Sequence, residues 1–170
     1  MKETTPLEAW IGGQRFETSG QLFETRNPAS GQCLRSVRIA DAETIEAAVQ
    51  SASEGLAVWA AMTGAERGRI LLRAAEILRA RNSELARLES HDTGKPIQET
   101  EAVDITSGAD CLAYFGGLAA GLSGEHIDLG NAFAYTRREP LGICAAIGAW
   151  NYPCRSPAGK QRRRWRVATA

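Results

Sequence analysis

The chain has 170 residues, 44% hydrophobic and 24% charged, and its 20 basic and 20 acidic residues leave no net charge. These values suit one globular unit with a core and give no global attraction to nucleic acid or an anionic membrane. Four cysteines, at 33, 111, 144 and 154, are too widely and irregularly spaced for a CxxC metal site or a dense disulfide framework, which points to reduced thiols. No apolar run reaches membrane-spanning length and Met1-Lys-Glu-Thr-Thr-Pro6 has no apolar signal core, so a cytoplasmic protein is expected.

In chain order, Ala9-Trp-Ile-Gly-Gly-Gln-Arg-Phe16 reads as a β-hairpin turning at Gly12-Gly13. Leu22 to Gly31 reads as a strand ending in the Asn27-Pro and Ser30-Gly turn signals, and Cys33 to Ile39 alternates as a further strand. Asp41 caps a helix through about Ala61, with Ile45, Ala48, Val49, Ala52, Leu56 and Trp59 on one stripe. Thr63-Gly-Ala-Glu66 fits a capping box. The helix it starts carries Ile70, Leu71, Ala74, Ile77 and Leu78 on one face and most of its arginines on the other. Asn82 or Ser83 starts a third helix, with Leu85 and Leu88 inward, ended by Gly94 and Pro96. Ile97 to about Leu122 reads as one long helix interrupted near Gly108 or Gly116. Tyr135 to Glu139 reads as a charged strand, and Ile143 to Ile147 as a near-continuous apolar run suited to a parallel strand buried on both faces. The fold class is therefore α/β: strands, then a helical layer, then the first strand of a Rossmann-like domain whose other βαβ units are not in the chain.

Three motifs invite chemistry. Trp150-Asn-Tyr-Pro153 follows the presumed buried strand directly, where ligands of open α/β sheets bind, and a side-chain amide there can donate to an oxyanion. The plain alternative is a turn, with Asn151 capping and Pro153 closing, and spacing alone favours it. His91-Asp-Thr-Gly-Lys-Pro96 suggests a cation or phosphate site, but a helix end with Lys95 near the terminal carbonyls is the simpler account. The Arg162-Arg-Arg-Trp-Arg166 cluster resembles a nucleic-acid patch. Two distant histidines, 91 and 126, give no metal constellation, and no GxGxxG or Walker motif is present.

Taken together, Phe23-Glu-Thr-Arg-Asn-Pro-Ala-Ser-Gly31, Glu66-Arg-Gly-Arg-Ile-Leu-Leu72, Asp92-Thr-Gly-Lys-Pro96, Gly124-Glu-His-Ile127, Tyr135-Thr-Arg-Arg-Glu-Pro-Leu-Gly142 and Ile147-Gly-Ala-Trp-Asn-Tyr-Pro153 stand in the order of one family. From about Ala9 to Pro153 the chain resembles the N-terminal part of the NAD(P)-dependent aldehyde dehydrogenases, and within them the betaine-aldehyde and trimethylaminobutyraldehyde branch. The resemblance implies oxidation of an aldehyde to a carboxylic acid through attack by a cysteine, hydride transfer to NAD or NADP, and hydrolysis by a Glu-activated water. It implies that Asn151 holds the oxyanion, that Ile147, Gly148, Ala149, Trp150 and Asn151 contact the cofactor, and that Tyr152 walls the substrate pocket. It also implies a monovalent cation, K+, bound by Thr25, Arg26 and Asp92, and a homo-oligomeric enzyme with a small-molecule aldehyde as substrate. The family's nucleophilic cysteine, general-base glutamate, glycine-rich cofactor turn and oligomerisation strand match nothing in this chain, which by itself is expected to be inactive.

The resemblance stops at Pro153. It divides the chain into an incomplete N-terminal part of an NAD-binding domain, 1–153, and a tail, 154–170. With GC-rich synonymous codons, the tail read two bases on gives Pro-Ile-Ala-Gly-Trp-Lys-Ala-Ala-Pro-Ala-Leu-Ala, which is the family's continuation. A frameshift at or near Cys154 accounts for the arginines without a nucleic-acid ligand, and the tail is expected to be unstructured. Lys160 matches a family lysine sometimes given a relay role. Two other readings are a non-catalytic module that binds cofactor or pairs with intact subunits, and a small nucleic-acid binder with a basic tail; the second would show salt-dependent binding.

Overall fold

The computed structural model describes residues 5–155. Lys160, the arginine cluster and the rest of the expected tail beyond Arg155 lie outside the described residues. Strand β1 (Ala9–Ile11) pairs antiparallel with β2 (Gln14–Phe16), Ala9 opposite Phe16. Gly12 and Gly13 join them at φ of 60° and 80°, the left-handed values a two-residue hairpin turn of this hand requires. Strand β3 (Leu22–Arg26) pairs antiparallel with β4 (Cys33–Arg38), with a register shift at Thr25/Arg26. The Asn27 side chain closes the connecting loop by accepting from the Ala29 and Ser30 N–H groups at 2.9 and 3.3 Å.

Three expected helix boundaries hold because their signals are local. Helix α1 (Ala42–Ala61) starts at Asp41, whose Oδ1 accepts from the Thr44 N–H at 2.9 Å. Helix α2 (Gly64–Ala80) starts with the reciprocal capping box of Thr63 and Glu66. Helix α3 (Asn82–Thr93) ends at Gly94, at φ 77°.

The packed core lies where α2 meets α5 (Ile105–Leu118): Leu71, Ala75, Ala109 and Leu112 are buried together, with Ala74, Leu78 and Ala113 against them. Glycines set how close the two helices come. A Cβ on Gly68 would stand 2.5 Å from the Gly116 carbonyl oxygen, and one on Gly116 would stand 3.0 Å from that of Gly68. Gly116 and the buried Gly108 were expected to interrupt the long helix; instead both lie within α5. The interruption falls earlier, between the short α4 (Ile97–Glu99) and α5, as a π-helical turn over Thr100–Asp104. That turn brings Thr100 and Asp104 both fully inward. The extra backbone it frees is taken up locally: the Glu101 carbonyl accepts from the Asn82 amide at 3.0 Å and from the Thr106 hydroxyl at 3.2 Å.

Three other expectations are corrected. Leu88 is 59% exposed, and α3 buries Ala86 and Glu89 instead, so its inward face is one residue off. Strands β5 (His126–Asp128) and β6 (Phe133–Tyr135) form a third hairpin, and Thr136–Glu139 are not in a strand. The Ile143–Ile147 run is not a strand either. A parallel strand needs neighbours to take up its N–H and C=O groups, and the described residues form only three separate two-stranded sheets. Without such neighbours the run stays irregular and Ile147 is 84% exposed. The chain is thus mixed helix and strand, as expected, with the helical layer as its organised part.

Candidate functional site

Residues 147–155 form a lip that meets α3 at Glu89 and the loop after α3 at Lys95. The Tyr152 N–H donates to the Ala149 carbonyl at 3.2 Å and closes a turn across Trp150 and Asn151. The turn reading of this motif is therefore correct as geometry, and it is compatible with the functional one. Asn151 stands exposed at the turn and Trp150 is 84% exposed, while Tyr152, Pro153 and Cys154 are half-buried against the helical layer.

Under the lip is a group of charges that sequence reasoning did not assemble. The Lys95 ammonium lies 3.5 Å from the centre of the Tyr152 ring and 2.6 Å from Asp104 Oδ2. It does not serve the end of α3, as its position after Gly94 suggested. The Arg155 guanidinium carbon is 5.2 Å from the same ring. Glu89, on α3, is 1% exposed, and its Oε2 accepts from the backbone N–H of Cys154 at 3.2 Å. Burial, and secondarily the neighbouring Asp104, push the Glu89 carboxyl above its ordinary range, while the Cys154 contacts pull it down. Burial pushes the Cys154 thiol up to about 12, with the Glu89 and Asp104 carboxyls adding to it. Such a thiol is a poor nucleophile at neutral pH. Part of the signal was available, since Glu89 and Asp104 are acidic residues at helical positions that turn inward, whereas Lys95 stands in the loop between α3 and α4 and carries no such signal.

The expected cation residues come near one another only through their loops. A Cβ on Gly94 would be 2.7 Å from Pro28 Cγ, so the loop after β3 lies against the end of α3 two residues beyond Asp92. The Thr25 hydroxyl donates to the Arg35 carbonyl, and Arg26 pairs with Glu24 and donates to the Gly31 carbonyl. Asp92 is exposed. Among the described residues no three His, Cys, Asp or Glu side chains gather as a metal site. His126 instead stacks on Phe133.

A nicotinamide dinucleotide needs an apolar slot for its rings and a cradle of backbone N–H groups for its pyrophosphate. The described residues offer part of the slot, through the exposed Ile147 and Trp150, and no glycine-rich strand-to-helix turn for the cradle. By themselves they do not hold the group.

The model of the aldehyde dehydrogenase family matches residues 15–162. Among solved structures, the NAD+ complex of an aldehyde dehydrogenase from Bacillus cereus is 31% identical, with a TM-score of 0.93 over 99% of this chain and 35% of that one. PnpE from Pseudomonas sp. WBC-3 is 30% identical, with a TM-score of 0.92 over 98% of this chain and 34% of its own. An NADP dependent enzyme from E. coli is 27% identical, with a TM-score of 0.91 over 97% and 35% of the two chains. The chain therefore spans about a third of the length of the structures it matches, as an N-terminal portion of their fold.

Proposed function

The chain belongs to the aldehyde dehydrogenase family, and from that premise we propose that it is the N-terminal third of an NAD(P)-dependent enzyme that oxidises betaine aldehyde, or a related trimethylammonio aldehyde, to its carboxylate. The reaction would place it in the formation of glycine betaine from choline. Solved relatives carry titles naming NAD+ and NADP, which supports a nicotinamide cofactor of either kind. The observation that carries the substrate class is the Tyr152 face, which already holds an ammonium at 3.5 Å. A trimethylammonium group is recognised by such a face through cation–π attraction, without a counter-charge.

In this reading Asn151 donates to the oxyanion of the tetrahedral intermediate, Ile147 to Trp150 line the cofactor, and Tyr152 receives the onium end of the substrate. Thr25, Arg26 and Asp92 hold a monovalent cation, and residues 1–153 are an incomplete cofactor domain. The intact enzyme is a cytoplasmic homo-oligomer; no helix among the described residues is long and apolar enough to cross a membrane. The 170-residue polypeptide does not turn over aldehyde. Cys33 and Cys111 sit in β4 and α5, away from the lip in sequence, Cys144 is half-buried in the run before the lip, and burial pushes the Cys154 thiol up to about 12. The sequence after Pro153 departs from the family by a frameshift at or near Cys154.

The test is to read the gene through codon 154 and beyond. The purified 170-residue chain and the product of the restored frame are then assayed for NAD and NADP reduction with betaine aldehyde. Activity only in the restored product is expected. Turnover by the 170-residue chain, freed of intact enzyme, defeats the inactivity; a restored product inert toward trimethylammonio aldehydes but active on neutral ones defeats the substrate class.

A further inference from the structure

The group beneath the lip is unusual in its stoichiometry. Two carboxyls, Glu89 at 1% and Asp104 at 0% exposure, share one ammonium, that of Lys95. Each carboxyl uses one oxygen: Asp104 Oδ2 accepts from Lys95 at 2.6 Å, and Glu89 Oε2 accepts from the Cys154 N–H at 3.2 Å. The other two, Glu89 Oε1 and Asp104 Oδ1, are buried without a hydrogen-bond partner when both groups are treated as carboxylates. The two side chains are within reach of each other. Two buried like charges side by side are costly, and a single proton between them removes one charge and satisfies both orphan oxygens.

We propose that Glu89, Asp104 and Lys95 are positioning residues: a proton-sharing frame that fixes the backbone at Cys154 and the ring of Tyr152, and thereby aims the intervening lip and the adjacent Asn151 amide. Glu89, as the neutral acid, donates from Oε1 to Asp104 Oδ1 and accepts at Oε2 from the chain at Cys154. Asp104 holds Lys95 through Oδ2, and Lys95 holds Tyr152. The groups that touch this frame are Tyr152 and Cys154 from the lip, with Arg155 over the same Tyr152 ring; next to Glu89 on α3, Ser90 bonds to Thr100 on the π turn, hydroxyl to hydroxyl at 2.8 Å. Burial holds the Glu89 carboxyl above its ordinary range, in agreement with the neutral form.

The inference rests on the reading above only for what the lip does in catalysis. Its test is hydrogen exchange at the Cys154 amide of the 170-residue chain, with far-UV circular dichroism as the control for folding. Glu89→Gln reproduces the neutral acid, since its amide N–H donates to Asp104 and its carbonyl accepts from Cys154. It is expected to keep the Cys154 amide protected, while Glu89→Ala speeds its exchange at least about tenfold at unchanged helix content. Without any truncating variant, the protection of the wild type falls as pH rises and Glu89 ionises, after correction for intrinsic exchange, and that of Glu89→Gln does not. The proposal is overturned if Glu89→Gln exchanges as fast as Glu89→Ala, if neither differs from the wild type, or if wild type and Glu89→Gln share one pH profile. A restored enzyme that oxidises no aldehyde would remove the proposed function and leave the exchange result standing.

Discussion

Asn151 and Tyr152 are adjacent in the chain and are held in different ways, so substitutions separate chemistry from recognition. In the restored enzyme Asn151→Ala is expected to lower kcat by about 10²–10³, with a much smaller change in KM, because the amide acts on charge present mainly in the tetrahedral intermediate. Tyr152→Ala is expected to weaken a trimethylammonio aldehyde by roughly 0.5–2 kcal/mol in KM and a neutral aldehyde of the same size by less. Tyr152→Phe, which keeps the ring, should restore most of that difference. Steady-state kinetics on the two aldehydes decides: an Asn151→Ala effect confined to KM, or equal losses for both aldehydes with Tyr152→Ala, would contradict the roles given to them. Cys154 supplies a pH prediction. Its thiol is raised from 9.0 to about 12 in the folded chain, so the unfolded state loses its proton first. The stability this group contributes is present below pH 9 and is lost as pH rises toward 12. Denaturation midpoints of the wild type should therefore fall across that window relative to Cys154→Ser. Iodoacetamide at pH 9 should alkylate Cys154 at least about tenfold more slowly in the folded chain than in urea. Asn151, Tyr152 and the turn that carries them were legible because they are consecutive. The Lys95–Tyr152 contact was not, because 57 positions separate its members along the chain and no local pattern records which ring a lysine reaches.

Helices whose ends are encoded locally were read correctly, and the π turn and the 143–147 run, which depend on distant partners, were not. Asp41 is held far below the usual carboxylate range, first by the Ser19 hydroxyl and then by the Thr44 backbone and hydroxyl, so the cap that begins α1 also ties it to the segment before β3. Thr63 with Glu66, and Gly94, are equally self-contained signals. The π turn depends on the inward pull on Asp104 from Lys95, and a 143–147 strand would depend on neighbours the described residues do not provide. The β5–β6 hairpin was missed because its strands are three residues each; Asp128 accepting from the Gly130 N–H, with Gly130 at φ 80°, was the signal that could have found it. Glycines in helices test the packing directly. Gly68→Ala would place its Cβ 2.5 Å from the Gly116 carbonyl oxygen in the α2–α5 crossing. It is expected to destabilise the chain by about 1–3 kcal/mol, because a carbonyl in a packed helix cannot yield as a flexible side chain does. Gly55→Ala meets nothing within 4 Å in the middle of α1 and is expected to stabilise it by up to about 1 kcal/mol. Urea titrations followed at 222 nm would show opposite shifts; two shifts of the same sign would mean that the crossing is not as close as described.

For the molecule as a whole, the balance of buried and exposed apolar groups sets its behaviour. Among the described residues the buried apolar ones are Leu71, Ala75, Ala86, Ile105, Ala109, Leu112 and Ala119, of which only three exceed alanine in size. Against them, α1 leaves Ile45 and Val58 more than half exposed, β6 leaves Phe133 66% exposed, and the lip leaves Ile147 and Trp150 84% exposed. Met62, Ile70, Ala74 and Ile77 line an open apolar groove along α2. Apolar faces of this extent on separate sides are surfaces of a larger fold, in keeping with relatives about three times as long. The family and the mixed class were legible from motifs in order, whereas the degree of exposure follows from the absence of a sheet across these faces and has no local signal. The 170-residue chain is therefore expected to form its helices and to self-associate through α1, β6 and the lip, binding a hydrophobic dye and melting without a sharp transition. Far-UV circular dichroism with sedimentation from about 1 to 100 µM checks this. Helical content with a mass that rises with concentration is the expected result. A monomer at every concentration that melts sharply and binds no dye would mean that the exposed faces are covered in solution by something the described residues do not show.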